Sequence, residues 1–528
     1  MTDKIRIKRA LVSVSDKAGI IDLCKVLDKS GVEIISTGGT LKTLREADIH
    51  VVSVSTFTGS PEILGGRVKT LHPKVHAGIL YRRGNAEDEE QMQQAEFKGI
   101  DLVVVNLYPF KQTVAKANAT EEEIIENIDI GGPSMVRSAA KNFESVAIVC
   151  DPSDYPALLD QLKANKGATT LKFRRNCAGK AYALTADYDA AVSGYFGRMM
   201  ATSVAAMPQE LFPQRLNLQY DQASSLRYGE NPHQSASLYE DKTYAAPTLL
   251  KAQILAGKEL SYNNYGDLDS CLEMLLDFSE PFACVLKHAN PCGAAVGYTI
   301  AEAYKAAYES DPLSAYGSII GLNKTVDLPC AELLHETPFV ECILAPKFTD
   351  EALALLTKKK TRRLLALPQI ERGRITGLAS YKFIHGGLLV QNADDAETTA
   401  AQLQVVTKRP PTPDEIRSLL FAWKVVKHTK SNAIVMAKET ATVGIGMGQT
   451  SRVDSAFMAV KRAGDRAKGA VMASDAFFPM TDGLLTGTSA GVTAVIQPGG
   501  SKGDPEVIAA ADTAGIAMVF TGVRHFRH

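Results

Sequence analysis

The stretch RALVSVSDKAGIIDLCKVLDKSGVEIISTGGT, Arg9 to Thr40, decides the fold. An apolar run ends in Ser13 and Ser15, a helical segment spans Asp16 to Lys29, and Gly31 precedes a second apolar run ending at Ser36. Thr37-Gly38-Gly39-Thr40 then opens another helix, and HVVSVS from His50 reads as a third strand. Alternation of this kind predicts an α/β fold, with a parallel sheet covered by helices on its faces. Polar residues follow each apolar run: Ser13, Ser15 and Lys17 after the first, Ser36 to Thr40 after the second. A Gly-Gly-Thr turn ahead of a helix leaves backbone N–H groups free for a phosphate. Most Gly-rich turns only turn the chain, so this signal alone is weak.

Working outward, 528 residues are too many for one core and imply roughly two to four domains. The composition, 45% hydrophobic and 22% charged, is that of a globular protein. A net charge of −1 from 58 basic and 59 acidic residues argues against a general nucleic-acid or membrane-surface binder, so any anionic ligand must meet locally placed cations. The eight cysteines form no CxxC pair, which fits a reducing compartment. The N-terminus lacks an apolar signal region, and no apolar run reaches the ~20 residues of a membrane span. A cytoplasmic location is expected.

Further along, GGRVKTLHPKVHAGIL (Gly65 to Leu80) brings Arg67, Lys69, Thr70, His72, Lys74 and His76 close together in a Gly- and Pro-bounded segment. DLVVVNLYPF from Asp101 is an apolar strand ending in Asn106 and Tyr108, groups able to orient a polar ring substituent. In NIDIGGPSMVRSAAKNF, Gly131, Gly132 and Pro133 start a helix that puts Arg137 and Lys141 on one face. Two cations so placed repel by a few tenths of a kcal/mol unless an anion lies between them, and Asp129 is a candidate for that carboxylate or for a catalytic one. Periodicity fails from Ala201 to Ser225, around Pro208 and Pro213, and the domain boundary is placed there.

A second centre is FACVLKHANPCGAAVG, Phe282 to Gly297. Its apolar run ends at Lys287, His288 and Asn290, followed by a Pro-Cys-Gly turn, where a buried strand would open into a loop. Ligands gather at the carboxyl ends of strands in open α/β sheets. On local sequence alone, a strand end with solvated polar residues is the simpler reading. Around this centre lie LRYGENPHQ (Leu226 to Gln234), ELSYNNYGDLDS (Glu259 to Ser270, read as preceding a helix) and ESDPLSAYGSIIGLN. The basic run Lys358 to Arg363 reads as a solvated helix end. Thr412-Pro413-Asp414-Glu415 is a capping box opening a helix that makes Trp423 a core residue. A strand from Asn432 and another ending in Gly446, Gly448, Ser451 and Arg452 form a second phosphate-competent turn with its own cation. GAVMASDAFFPMTDG adds Phe477 and Asp482, and the terminal His525 and His528 read as a tail. Zinc chemistry of the deaminase type needs H-x-E and P-C-x-x-C, which His288 and Cys292 do not satisfy.

Taken together and in this order, GGRVKTLHPKVHAGIL, DIGGPSMVRSAAKN, LRYGENPHQ, LKHANPCG and SDAFFP resemble a bacterial-type bifunctional purine-biosynthesis family over almost the whole chain. That family joins aminoimidazole-carboxamide ribonucleotide (AICAR) transformylase to inosine monophosphate (IMP) cyclohydrolase. The resemblance implies a methylglyoxal-synthase-like parallel-sheet domain over residues 1–200 that closes the ring. It implies a pair of cytidine-deaminase-like α/β subdomains without zinc over residues 201–528, divided roughly at 365–410, that transfer the formyl group. The substrates would be AICAR and formyl-AICAR, and the co-substrate 10-formyltetrahydrofolate.

Carried over residue by residue, the resemblance makes His288 the base that takes a proton from the weakly nucleophilic 5-amine of AICAR. Lys287 would favour the neutral imidazole and stabilise the oxyanion, while Asn290 and Asn432 would orient the formyl oxygen or carboxamide. Both Lys287 and His288 can act only if the strand has ended, which Pro291 and Gly293 would bring about. Arg227, Tyr228, His233, Arg452, Phe477 and Asp482 match nucleotide or folate contacts, with Arg452 a natural phosphate partner. For ring closure, Lys69 and Tyr108 would serve the oxyanion or move protons, and Asp129 and Lys141 would relay them. Ser13, Ser15, Lys17, Ser36, Thr37, Gly38 and Gly39 would hold the phosphate, with Arg67, Thr70, Asn106 and Arg137 completing the substrate contacts. A homodimer sharing the transformylase site across its interface is also implied.

One departure from the family pattern is visible, and one ion, potassium, is left open. Tyr316 and Ser318 stand where Phe and Gly are usual, and Ala433 lacks a side-chain oxygen near Thr429 and Ser431, where some relatives hold potassium. A nucleotide-sensing regulator that has lost catalysis is the alternative, and retention of Lys287, His288 and Lys69 together speaks against it.

Overall fold

The computed structural model describes residues 3–116, 118–203, 212–242 and 244–528. The chain forms two compact units, Met1–Gln219 and Tyr220–His528. Pro208, in the stretch where sequence periodicity fails, lies outside the described residues.

In the first unit, β1 (Arg9–Ser13), α1 (Ile20–Lys29), β2 (Glu33–Ser36), α2 (Gly38–Glu46) and β3 (Val51–Ser53) follow one another. They are joined by α3 (Pro73–Leu80), β4 (Leu102–Val105), α4 (Gly131–Lys141) and β5 (Ala147–Val149). The strands are all parallel, in spatial order β3-β2-β1-β4-β5. Alternate residues serve opposite layers. Leu11, Ile35 and Val103 pack under Val75 and Ile79 of α3 and Met135 and Val136 of α4, whereas Val12, Ile34 and Val104 pack under Ile20, Leu23 and Leu27 of α1. Burial on both faces is why these strands read as unbroken apolar runs rather than alternating ones. Each such side chain contributes about 1.5–3 kcal/mol. HVVSVS is strand only as far as Ser53, whose hydroxyl caps a short helix, Val54–Thr58, by accepting from the Thr56 N–H at 3.1 Å.

The second unit is built on a twelve-stranded sheet. Its first half runs α5 (Tyr262–Leu275), β6 (Phe282–Lys287), β7 (Asn290–Val296), α6 (Ile300–Ser310), β8 (Ser318–Leu322), α7 (Leu328–Glu336), β9 (Val340–Ala345), α8 (Asp350–Leu356) and β10 (Arg363–Ala366). The second half repeats that order as α9 (Pro413–Lys427), β11 (Ile434–Lys438), β12 (Ala441–Gly446), α10 (Arg452–Ala463), β13 (Val471–Ser474), α11 (Asp482–Ser489), β14 (Ala494–Gln497), α12 (Asp504–Thr513) and β15 (Ala517–Phe520). Across the sheet the halves mirror each other, β10-β9-β8-β6-β7 against β12-β11-β13-β14-β15, with outer strands Gln253–Ala256 and Gln404–Val405. They meet at the β7–β12 seam, where the ladder registers only Ala295 opposite Ala441. The Thr442 hydroxyl reinforces the seam at 2.9 Å from the Ala294 N–H, and Arg462 reaches Asp311 at 2.7 Å.

Several sequence expectations change here. Pro291, Cys292 and Gly293 do not make the turn; they lie inside β7, and the chain reverses one step earlier, at His288–Ala289. Val285 pairs with Gly293 and Leu286 with Pro291, so Cys292 is the extra residue of a bulge, one of the few places a strand admits proline. Gly293 is required by packing, because a side chain there would strike the Ala307 carbonyl of α6. β6 is antiparallel to both its neighbours, so its end is a hairpin tip rather than the carboxyl end of a parallel strand.

ELSYNNYGDLDS is itself mostly helix. Ser261 and Asn264 form the capping box of α5, so Asp267 rides on its first turns. The basic run is also more than a solvated end. Lys359 Nζ donates to the carbonyls of His335 and Thr337 at 2.6 and 3.0 Å, closing α7, and buried Arg362 donates to Leu334 O at 2.9 Å. His525 is docked rather than trailing: its Nδ1 lies 2.6 Å from Asp394 Oδ2, and its ring centroid is 4.8 Å from that of buried Trp423. No helix among the described residues is long and apolar enough to cross a membrane.

Candidate active sites

The strand order of the first unit reverses between β1 and β4, and the loops leaving those strands must diverge there. They open a cavity of about 620 Å³. Its lining includes Ser13, Ser15 and Lys17 beyond β1, Thr37, Gly38 and Gly39 beyond β2, and Asn106 and Tyr108 beyond β4. Arg67, Lys69 and Thr70 enter from the loop before α3, and Asp129 from the segment before α4.

At the Gly38–Gly39 turn, the N-cap residue Thr37 gives the first N–H groups of α2 no side-chain hydrogen bond, which leaves an anion-accepting end. Gly38 has φ +53, and a side chain there would begin 3.5 Å from Lys69 Nζ; one on Gly39 would begin 3.7 Å from Lys17 Nζ. Glycine therefore keeps the space between two ammonium groups open. Asn106 braces the β1 loop, accepting from the Ser15 and Asp16 N–H groups at 2.6 and 3.1 Å. Thr37 donates to Glu62 Oε1 at 2.9 Å, and Arg67 pairs with Glu126 across the cavity mouth.

Asp129 Oδ1 accepts from the Gly132 N–H at 2.7 Å. Burial raises its pKa, opposed by the Gly132 and Tyr108 amides and by the Lys69 charge. A carboxylate so poised, beside an ammonium and a phenol, suits proton transfer.

Three expected residues lie elsewhere. Ser36 is buried at the end of β2, and its hydroxyl has no hydrogen-bond partner among the described residues. Arg137 and Lys141 are not part of the cavity lining, because Asp129 and the glycines stand at the amino end of α4 whereas these cations lie further along the helix. Asp129 thus does not lie between them, and Arg137 instead stacks over Tyr182, 5.4 Å from the ring centroid.

In the second unit, His288 and Ala289 form the hairpin turn with φ of 55° and 58°. Non-glycine residues in this left-handed region cost about 1–3 kcal/mol each and persist only where the surroundings over-determine them. Here they do. Asp267 Oδ1 accepts from the Ala289 N–H at 2.7 Å, Asn290 Nδ2 donates to His288 O at 3.1 Å, and Asn290 Oδ1 accepts from the Lys430 N–H at 3.1 Å. Lys287 Nζ donates to Tyr316 O at 2.9 Å, so the Phe-to-Tyr departure meets Lys287 through its backbone.

Asn432 lies at the same end of the central strands but is held internally. Buried Arg452 donates from Nη2 to Asn432 Oδ1 at 2.8 Å and from Nη1 to Asp475 Oδ1 at 2.5 Å, which engages the guanidinium away from any phosphate. Near the turn considered for potassium, Ser431 Oγ donates to Asp475 Oδ2 at 2.5 Å and Ala433 offers its N–H to Asp475 Oδ1 at 3.1 Å. Among the described residues, no three His, Cys, Asp or Glu side chains are grouped to hold a metal ion.

Arg227, Tyr228 and His233 sit on the loop of a separate hairpin (Asp221–Leu226 with Ala236–Glu240), and Arg227 Nη2 donates to the Tyr228 hydroxyl at 2.9 Å. Among the described residues they make no hydrogen bond to Lys287, His288 or Asn290. Phe477 is half-buried, and Asp482 is exposed at the start of α11, bonding the Gly483 N–H at 2.7 Å. Sequence reasoning missed Asp267, Glu62 and Glu126. A carboxylate early in a capped helix was the available signal for the first; the other two had none.

Two separate sets of ionisable groups, one enclosed and one on a hairpin tip, make this an α/β protein with two candidate reaction centres. Residues 139–462 match the family described as AICARFT/IMPCHase bienzyme, and residues 19–134 match the MGS-like domain. The chain belongs to the AICARFT/IMPCHase bienzyme family, enzymes of purine biosynthesis that combine formyl transfer with cyclohydrolase activity. A solved structure described as "Crystal structure of ForH" is 36% identical over 36% of this chain and 100% of its own, with a TM-score of 0.33, too loose a superposition to bear on the fold.

Proposed function

We propose that the protein transfers a formyl group from 10-formyltetrahydrofolate to the 5-amine of AICAR and then closes formyl-AICAR to IMP with loss of water. The observation that carries this is family membership joined to the geometry: the switch-point cavity gathers Lys69, Tyr108 and Asp129 around an anion-accepting turn.

In the first step the amine nitrogen bonds to the formyl carbon, His288 takes the amine proton, and the bond from carbon to the folate nitrogen breaks as that nitrogen is protonated. General-base help of this kind supplies about 10²–10⁴-fold. Lys287, next in sequence to His288, faces the developing oxyanion. In the second step the carboxamide nitrogen attacks the tethered formyl carbon, so positioning supplies most of the acceleration. Lys69 and Tyr108 serve the oxyanion, and Asp129 moves the protons that leave with water. The α2 turn with Lys17 takes the phosphate.

A homodimer that shares the transformylase site across its interface belongs to the same reading. It is supported by the hairpin Ala379–Ile384 with Gly387–Asn392, which leaves Phe383 77% and Leu389 55% exposed. Purified protein given AICAR and 10-formyltetrahydrofolate is expected to form IMP. Nucleotide binding without turnover would overturn the proposal in favour of a sensing role. A species that sediments as a monomer with full transformylase activity would overturn the dimer.

A further inference from the structure

We infer that Asp267 is a positioning residue for formyl transfer, acting through the backbone of the turn that presents His288. The inference rests on the reading of His288 as the transformylase base.

The turn contains no glycine, yet both its residues lie in the left-handed region. A two-residue hairpin of this type normally uses Asn-Gly, Asp-Gly or Gly-Gly. His288 and Ala289 lack both the local side-chain support of the first position and the freedom of the second. What fixes them comes from outside the turn. Asn290 ties the carbonyl of His288 and is itself held by Lys430. Asp267 holds the other side of that same peptide, accepting from the Ala289 N–H at 2.7 Å. The single peptide group joining His288 to Ala289 is thus anchored at both its carbonyl and its N–H, by separate elements.

Asp267 is suited to this because its own element is rigid. Helix α5 is closed at its start by the Ser261–Asn264 capping box, and Leu268, the residue after Asp267, is fully buried in the core with Leu272 and Leu275. Asn264 also bonds Glu341 of the following β9 strand at 3.2 Å. A carboxylate on a fixed helix therefore sets where the turn, and with it the His288 imidazole, stands. A shift of about 1 Å in such a group is enough to cost about 100-fold in rate.

The test is steady-state formyl transfer by the intact protein, with ring closure of supplied formyl-AICAR as an internal control. Asp267→Ala is expected to lower kcat for formyl transfer about 10- to 100-fold, with the KM for AICAR within about threefold and ring closure unchanged. Asp267→Asn, whose amide oxygen accepts the same hydrogen bond, is expected to stay within about fivefold of wild type. Where Asp267→Ala does not fold, Asp267→Ser, polar but too short to reach the turn, carries the same expectation as Ala. Faster hydrogen exchange at the Ala289 amide in the truncated variant, but not in Asp267→Asn, marks the lost bond. Wild-type kcat in the truncated variant, or a loss in Asp267→Asn equal to that in Asp267→Ala, overturns the inference. Absence of formyl transfer in the wild type overturns the underlying reading of His288 instead.

Discussion

In the N-terminal unit, Lys69, Tyr108 and Asp129 arrive from three separate loops that converge where a parallel sheet reverses its strand order. In the C-terminal unit, Lys287 and His288 arrive from one end of one hairpin. The first arrangement depends on topology: any chain that builds the five-stranded order opens a cleft at that place, and the loops need only carry suitable groups. The second depends on local backbone conformation, two left-handed residues held by side chains from elsewhere. A cleft is robust to small changes in its walls, whereas a strained turn is set or lost by a few bonds.

The largest expected effect that sharpens this contrast is at the hairpin. His288→Ala should reduce formyl transfer by about 10²–10⁴-fold and leave ring closure of supplied formyl-AICAR intact. Equal loss of both activities would merge the two centres into one. Next is the buried support at the same end of those central strands. Arg452→Met leaves the Asp475 carboxylate buried without its partner, and an unpaired buried charge of this kind costs about 3–5 kcal/mol. Chemical denaturation should show that loss in the second unit, and an unchanged midpoint would mean the pair is dispensable.

In the cavity, Lys69→Met should lower ring closure about 10²–10³-fold, the scale for removing one charge-stabilising donor, while formyl transfer measured separately persists. The smallest effect concerns Asp129. Burial raises its folded pKa above the ordinary carboxylate value of about 3.9, so its contribution is favourable while protonated and is lost as pH rises through the folded pKa. Asp129→Asn, which keeps an acceptor for the Gly132 N–H, should melt slightly higher than wild type near neutral pH. Calorimetry should find the gap closing as the pH falls towards about 4. A gap that widens in acid would reverse the assigned direction.

The same contrast explains what could be read from sequence. The apolar runs of β1, β2 and β4 and the turn residues after them were legible because parallel strands buried on both faces leave an unbroken pattern. Their convergence on one cleft follows from strand order. Helical spacing put Lys141 and Arg137 on one face but could not tell how far along the helix the cleft lies, and neither is in its lining. At the hairpin, Pro291 and Gly293 pointed to a turn that the structure puts one step earlier, since a bulge accommodates the proline and close helix packing demands the glycine. The support from Asp267 joins residues far apart in sequence by a single hydrogen bond and leaves no periodic trace.

The mirrored halves of the second unit also decide how the chain can be divided. The first half carries the candidate His288 tip, while the second carries Arg452, Asp475 and Asn432, so the mirrored halves are two complementary parts rather than two copies. A cut in the connector between β10 and α9 would give fragments with similar scaffolds and unlike cargo. The proposed formyl transfer would return only when they reassociate edge to edge through the seam at Ala295 and Ala441, which makes that connector a natural split point for a complementation reporter.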